Sequence, residues 1–251
     1  MDRSEAERRL YCAMTIGEEL LISGAEVNRV EDTIRRICRA YGMERVDVFT
    51  ITSSIVTTAY GQDFGVCTQT RRVSGMAYDL HRMDALNRLS RRICAERLPE
   101  DEVEAELARI AAGPRYSFGV QILIYALISG SFSLFFGGSL GDMAASALIG
   151  VLLKLLQRGL QTRSRNALVT SLLCSVAGGF LARLAVMAGV GAHADLIGIG
   201  NVMLLIPGIA FTNSLRDLFS GDTITGLIRF LESLLLAVVI ALGFTVAGFL
   251  L

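Results

Sequence analysis

Up to about residue 115, short apolar stripes alternate with charged positions; after Gly113-Pro114 the charges thin out and long apolar runs take over. A hydrocarbon core of about 30 Å needs roughly 20 mainly apolar helical residues to cross it. Five segments read as spans: 118–137, 140–156, 167–188, 195–212 and 225–251. The second is short and holds Asp142 near its start, while the last contains Ser233–Leu251, nineteen residues without a charge. In the first part, Leu10, Ala13, Met14, Gly17 and Leu21 recur at helical spacing. Val27, Val30, Ile34, Ile37, Cys38 and Tyr41 form a second apolar stripe, with Glu31/Arg35 and Asp32/Arg36 as i,i+4 pairs on the polar side. Ser23-Gly24 separates these helices and Gly42 suits the end of the second. From Val46 to Thr58, nine of thirteen residues are Val, Ile or Thr, which predicts strands. Gly61 to Gly65 reads as a turn and Val66–Val73 as a further strand. Leu80, Met83, Leu86, Leu89 and Ile93 predict a third helix, and Pro99-Glu100-Asp101-Glu102 opens a fourth, its acids complementing the helix dipole.

Composition sharpens this division. Of 48 charged side chains, residues 1–115 hold 36 and the remaining 136 residues hold 12, in a chain that is 52% apolar with a mean hydropathy of +0.51. The fold class expected is an α-helical integral membrane protein with five transmembrane helices, preceded by a small α/β domain, with the division at 1–115 and 116–251. Basic residues set orientation. Arg109 and Arg115 precede the first span, Lys154, Arg158, Arg163 and Arg165 flank the second connection, and Arg216 and Arg229 flank the fourth, whereas the first and third connections carry none. This alternation places residues 1–115 in the cytoplasm and Leu251 on the far side of a multi-pass membrane protein. The first residues lack the short apolar stretch of a secretory signal. Twenty-four basic residues balance 24 acidic ones, so nothing resembles the basic footprint of a nucleic-acid binder; membrane lipid is the expected large-scale partner.

Candidate chemistry is sparse. The five cysteines form no C-x-x-C pair, and with only His81 and His193 no metal-ligand spacing exists, so neither metal nor cofactor is expected. They read as buried apolar thiols. The chain lacks a G-x-S-x-G elbow, an H-E-x-x-H motif and a Gly-rich phosphate loop, which leaves no catalytic residue to assign. Glu26 and Arg29, at i and i+3, form either a site pair or a solvated helix face. Within the apolar half, Pro207-Gly208 interrupts the fourth span, and such breaks in transporters line solvated cavities. Charge at mid-bilayer costs about 2.5–3.5 kcal/mol on insertion scales, which singles out Arg183, Asp195, Arg229 and Glu232, with Asn201 and Asn213 as polar company. Arg229 and Glu232 share a helix face and can pair, or Arg229 can snorkel to the inner interface.

Several of these residues fall into blocks that resemble a known family. Leu21-Ile22-Ser23-Gly24-Ala25-Glu26-Val27-Asn28-Arg29-Val30-Glu31-Asp32-Thr33 with Val46-Asp47-Val48-Phe49, then Asn87-Arg88-Leu89-Ser90-Arg91, are similar to the cytoplasmic part of the threonine/serine exporter family, the ThrE- and YjjP-like proteins. Leu205-Ile206-Pro207-Gly208, Thr212-Asn213-Ser214-Leu215-Arg216-Asp217-Leu218 and Gly221-Asp222 resemble its membrane signature. The blocks occur in order over nearly the whole chain.

The resemblance implies a component of an inner-membrane exporter of small carboxylate-bearing metabolites, succinate-like dicarboxylates or threonine and serine. It implies the larger half of a split pair working with a smaller, YjjB-like membrane subunit as a hetero-oligomer. Carried onto matching positions, it makes Pro207, Gly208, Thr212, Asn213, Arg216, Asp217, Gly221 and Asp222 transport-site candidates, to which the residues themselves add Arg183 and Asn201. Asp195 and Glu232 are the candidates for proton coupling. The alternatives are a membrane-anchored enzyme with a hydrolase-like 1–115 domain, and a non-transporting scaffold or regulatory subunit.

Overall fold

A computed structural model describes residues 1–114, 116–163 and 166–250, so Arg115, Arg165 and Leu251, used above to infer orientation, lie outside the described residues. The chain forms two compact units: Met1–Pro114 with Ile209–Phe230, and 115–208 with Leu231–Leu251.

The first unit opens with α1 (Arg3–Ile22) and α2 (Val27–Ala40), followed by β1 (Arg45–Ile51), β2 (Ser54–Gly61), β3 (Gly65–Arg72), α3 (Leu80–Glu96) and α4 (Glu100–Ala111). The Val/Ile/Thr-rich stretch is thus two strands, turned at Thr52-Ser53 so that Ile51 faces Ser54. The sheet is antiparallel in the order β1-β2-β3. Gly24 ends α1 at φ +91, where the Tyr78 ring covers it and leaves no room for a side chain. Leu10, Met14, Leu20 and Leu21 of α1, Ile34 and Ile37 of α2, Ile55 of β2, and Leu86 and Ile93 of α3 are fully buried in one core. Each contributes about 1.5–3 kcal/mol by leaving water. Into this unit fold α9 (Gly208–Phe219) and the start of α10 (Thr223–Leu250). These two helices meet closely because Gly226 lies against Ser214 and Leu218; the Phe211 and Phe230 rings sit 5.3 Å apart.

The second unit contains α5 (Phe118–Phe135), α6 (Leu140–Gln161), α7 (Ala167–Met187), α8 (Ala194–Val202) and the rest of α10. Its interior is built from small and polar residues: Ser129, Gly130 and Ser133 of α5, Ala145, Ser146 and Gly150 of α6, and Ser175, Gly178, Gly179 and Ala182 of α7 are all buried. Leu123, Leu127, Leu134, Leu148, Leu173 and Leu242 face outward. This distribution suits lipid, where helices associate by close backbone approach and polar contacts rather than by hiding apolar side chains.

Four helices among the described residues are long and apolar enough to cross a bilayer: Phe118–Phe135, Leu140–Gln161, Ala167–Met187 and Thr223–Phe249. The second runs past the expected residue 156 to Gln161. The segment expected to span as 195–212 is not one helix. It breaks into α8, a turn over 203–207, and α9. Pro207 stands immediately before α9, where its lack of an N–H and its fixed φ suit the start of a helix and not its interior. Of the thiols, Cys12, Cys38, Cys67 and Cys174 are buried as expected, while Cys94 is half-exposed.

Candidate functional site

In the first unit the turn between α1 and α2 meets α9 and the beginning of α10. Glu26 precedes α2 and leaves that helix without a side-chain cap of its own, because its carboxylate accepts instead from Arg216 Nη1 of α9. One turn earlier on α9, Asn213 Nδ2 donates to the Gly24 carbonyl at 3.2 Å. One residue after Arg216, Asp217 accepts from the backbone N–H of Val27, so the start of α2 receives its negative charge from another element. Asp217 also accepts from Arg229 Nη1 at 2.8 Å, with the two side chains only 1% and 3% exposed. Arg229 reaches the Ala25 carbonyl at 3.5 Å with the same nitrogen. Asp222 follows in the turn before α10, its amide bonded to the Asp217 carbonyl at 3.0 Å.

The cluster holds one buried carboxylate, Asp217, and the half-buried ones of Asp222 and Glu31. Burial raises the pKa of Asp217 above the ordinary Asp range, against the lowering pull of Arg229. Burial likewise raises Asp222. Glu31 of α2 is raised by burial, opposed by the hydrogen bond it accepts from the Thr50 amide and reinforced by the charge of Asp222. Two sequence blocks nearly 190 positions apart, Ser23–Val27 and Asn213–Asp222, thus form one constellation around an ion pair at the surface and another that is sealed.

The remaining candidates are dispersed. Thr212 is exposed on α9, and Gly208, also exposed, has open space around it. Arg29 is exposed on α2 and does not pair with Glu26. Arg229 takes Asp217 as its partner and not Glu232; Glu232 is exposed and, among the described residues, has no ion pair. In the second unit Arg183 Nη1 donates to the Gly248 carbonyl of α10 at 2.6 Å. Asp195 is exposed in the first turn of α8.

Asn201 is wholly buried and fully occupied. Its Oδ1 accepts from Ser129 Oγ at 2.8 Å, and its Nδ2 donates to the Ile197 carbonyl at 2.9 Å and to Ser146 Oγ at 3.3 Å. It therefore ties α8 to α5 and α6.

A second junction in this unit went unrecognised in the sequence. Asp142 at the start of α6 accepts from the Ser139 amide and hydroxyl, from the amides of Ala192 and His193, and shares a 2.9 Å hydrogen bond with His193 Nδ1. That bond raises the pKa of His193. The Ser139-x-x-Asp142 spacing before an apolar run was the available signal, because it forms a capping box here. Nothing in the sequence pointed to His193 as its partner. Among the described residues no His/Cys/Asp/Glu group has the composition of a metal site.

Comparison with known proteins bears on these contacts. The family model ThrE, a threonine/serine exporter family, matches residues 11–251. A protein of Corynebacterium glutamicum named "Threonine/serine exporter" is 26% identical over 93% of this chain. A protein of Klebsiella aerogenes named "Probable succinate transporter subunit YjjP" is 25% identical over 98% of it. The chain spans about half the length of the Corynebacterium protein, 49%, and 95% of the Klebsiella one. No solved structure matches.

Proposed function

The chain belongs to the threonine/serine exporter family, and on that premise we propose that it is the larger component of an inner-membrane exporter of small carboxylate-bearing metabolites, working with a smaller membrane subunit. Two features of the relatives support this reading. One is named a transporter subunit and is matched over nearly its whole length, while the other is about twice as long as the region matched. In this reading the amino-terminal unit is cytoplasmic, the four long helices cross the membrane, and α8 with the following turn makes a fifth, broken crossing. The carboxyl terminus then lies on the far side.

The observation that carries the site is the exposed ion pair between Arg216 and Glu26, with side chains 62% and 21% exposed, beside Asn213. A surface pair of this kind holds its partners by only about 0–1 kcal/mol. A substrate carboxylate can therefore replace that of Glu26 on the guanidinium at little cost, taking two parallel hydrogen bonds. Asn213 supplies an amide for the second polar group of the substrate, which suits either a dicarboxylate or a hydroxy-amino acid. Asp217 and Arg229 hold the elements in place, and Asp222, Thr212, Pro207 and Gly208 set the course of the backbone on either side. Export is coupled to the proton gradient through Glu232 or Asp195, the acids on apolar elements of the second unit that have no ion pair among the described residues. An enzymatic role finds no support in the catalytic groups of the amino-terminal unit.

The experiment is an efflux assay in cells lacking their own exporters of these solutes, with the chain alone and with the smaller subunit. Export of succinate or threonine that requires both chains supports the reading. Unchanged efflux with Arg216→Gln removes that residue from the pathway.

A further inference from the structure

One cleft in the first unit takes no part in the contacts above. It lies between α2 and α3 and has a volume of about 510 Å3, within the range of small-molecule sites. Arg29, Asp32 and Arg36 line it from α2, and Asn87, Ser90 and Arg91 from α3. The sequence blocks around Arg29 and Asn87–Arg91 therefore converge on one place.

Charge in the cleft is unbalanced. Arg36 is neutralised by Asp32 at 2.7 Å. Arg29 and Arg91 make no ion pair or side-chain hydrogen bond among the described residues. Three neighbouring arginines are matched: Arg88 by Asp84, Arg92 by Glu102 and Arg35 by Glu31. The floor holds Ser90, whose hydroxyl donates to the Asn87 carbonyl at 2.9 Å. Two unmatched guanidiniums and one amide, with the sole carboxylate already paired, make a cradle for negative charge. A guanidinium presents donors in a planar fork that fits carboxylate and phosphate oxygens.

We propose that the α2–α3 cleft binds a small, doubly charged oxyanion, with Arg29 and Arg91 each taking one charge and Asn87 donating a hydrogen bond. Dicarboxylates and phosphates share this chemistry. The site stands independently of the export reading, since neither Arg216 nor any residue of α9 contributes to it.

Isothermal titration of the full chain in detergent at low salt, with succinate and with inorganic phosphate in separate runs and neutral succinamide as control, tests the proposal. Saturable binding of one anion is expected, and which one binds identifies the class. Arg29→Gln and Arg91→Gln should each weaken it by about tenfold or more, the scale of a lost charge-assisted contact. Arg72→Gln, an exposed arginine on β3 outside the cleft, should change it less than twofold. Circular dichroism checks that the three variants fold alike. The proposal is overturned if neither anion binds, if succinamide binds as well, if Arg72→Gln weakens binding as much, or if only one cleft variant has an effect.

Discussion

Arg216 of α9 and Arg229 of α10 lie on either side of the turn at 220–222 and meet carboxylates in opposite settings. Arg216 reaches Glu26 at the surface, where the pair adds little stability and either partner is free to exchange. Arg229 meets Asp217 where both are withdrawn from water, and leaving one buried charge without its partner costs about 3–5 kcal/mol. Arg216→Gln should therefore leave the thermal midpoint in detergent within a few degrees of wild type while reducing efflux by tenfold or more. Asp217→Ala should lower the midpoint and the yield of folded protein, read from melting of the helical signal. If both variants behaved alike in both assays, the division between exchangeable and sealed pairs would be wrong. These roles were only half legible in the sequence. Asn213 stood out as a polar residue in an apolar half, and Arg216 and Asp217 through the family resemblance, but their partners at Gly24, Glu26 and Val27 lie so far away along the chain that no local pattern relates them. Arg229 looked suited to Glu232 by i,i+3 spacing, yet a helical neighbour at the surface does not compete with an acid already enclosed beside it.

Among the elements, α2 was the easiest to read, because its apolar stripe and its i,i+4 pairs arise from one helical period. The fourth apolar segment was read as a span interrupted at Pro207-Gly208, but the depth of the break, a full turn between α8 and α9, is invisible to hydropathy, which averages across it. Asn201 read only as polar company, while its role in docking a nine-residue helix depends on Ser129 of α5 and Ser146 of α6. Gly200 lies against the Ser129 carbonyl and the Ser146 hydroxyl, which occupy the space a side chain would need. Gly200→Leu should overpack this contact and cost about 1–3 kcal/mol, seen as a lower unfolding midpoint in detergent. Gly159→Leu, where the space is open, serves as the control and should be neutral or stabilising.

The junction of α6 and α8 also carries a pH dependence. His193 has its pKa raised by the hydrogen bond to Asp142, so folding favours the protonated ring. The resulting stabilisation is complete below the free imidazole value of about 6.5 and is lost as pH rises through the elevated folded value. Melting curves from about pH 5.5 to pH 9 should show a fall over that window in wild type that His193→Gln abolishes. An identical fall in the variant would assign the effect elsewhere.

For the molecule as a whole, the contrast between a charged amino-terminal part and an apolar remainder was plain from composition, and the helices and strands of the first part appear near their expected places. What composition could not reveal is that Ile209–Phe230 leaves the apolar remainder to complete the first unit. A carboxylate at Glu232, exposed among Leu231, Leu234 and Leu235 on α10, is costly against lipid, which is the physical case for a second chain. Co-purification with the smaller subunit should be weakened at least tenfold by Glu232→Lys, measured by quantitative pull-down in mild detergent. Distribution of the five thiols has a practical consequence. Four are closed off inside, and the remaining one, Cys94, lines the α2–α3 cleft with its pKa raised by burial. The native polypeptide thus needs no engineering to accept one maleimide dye, slowly at neutral pH and faster in alkali, at a spot where a fluorophore would report occupancy of the cleft while the protein sits in a vesicle.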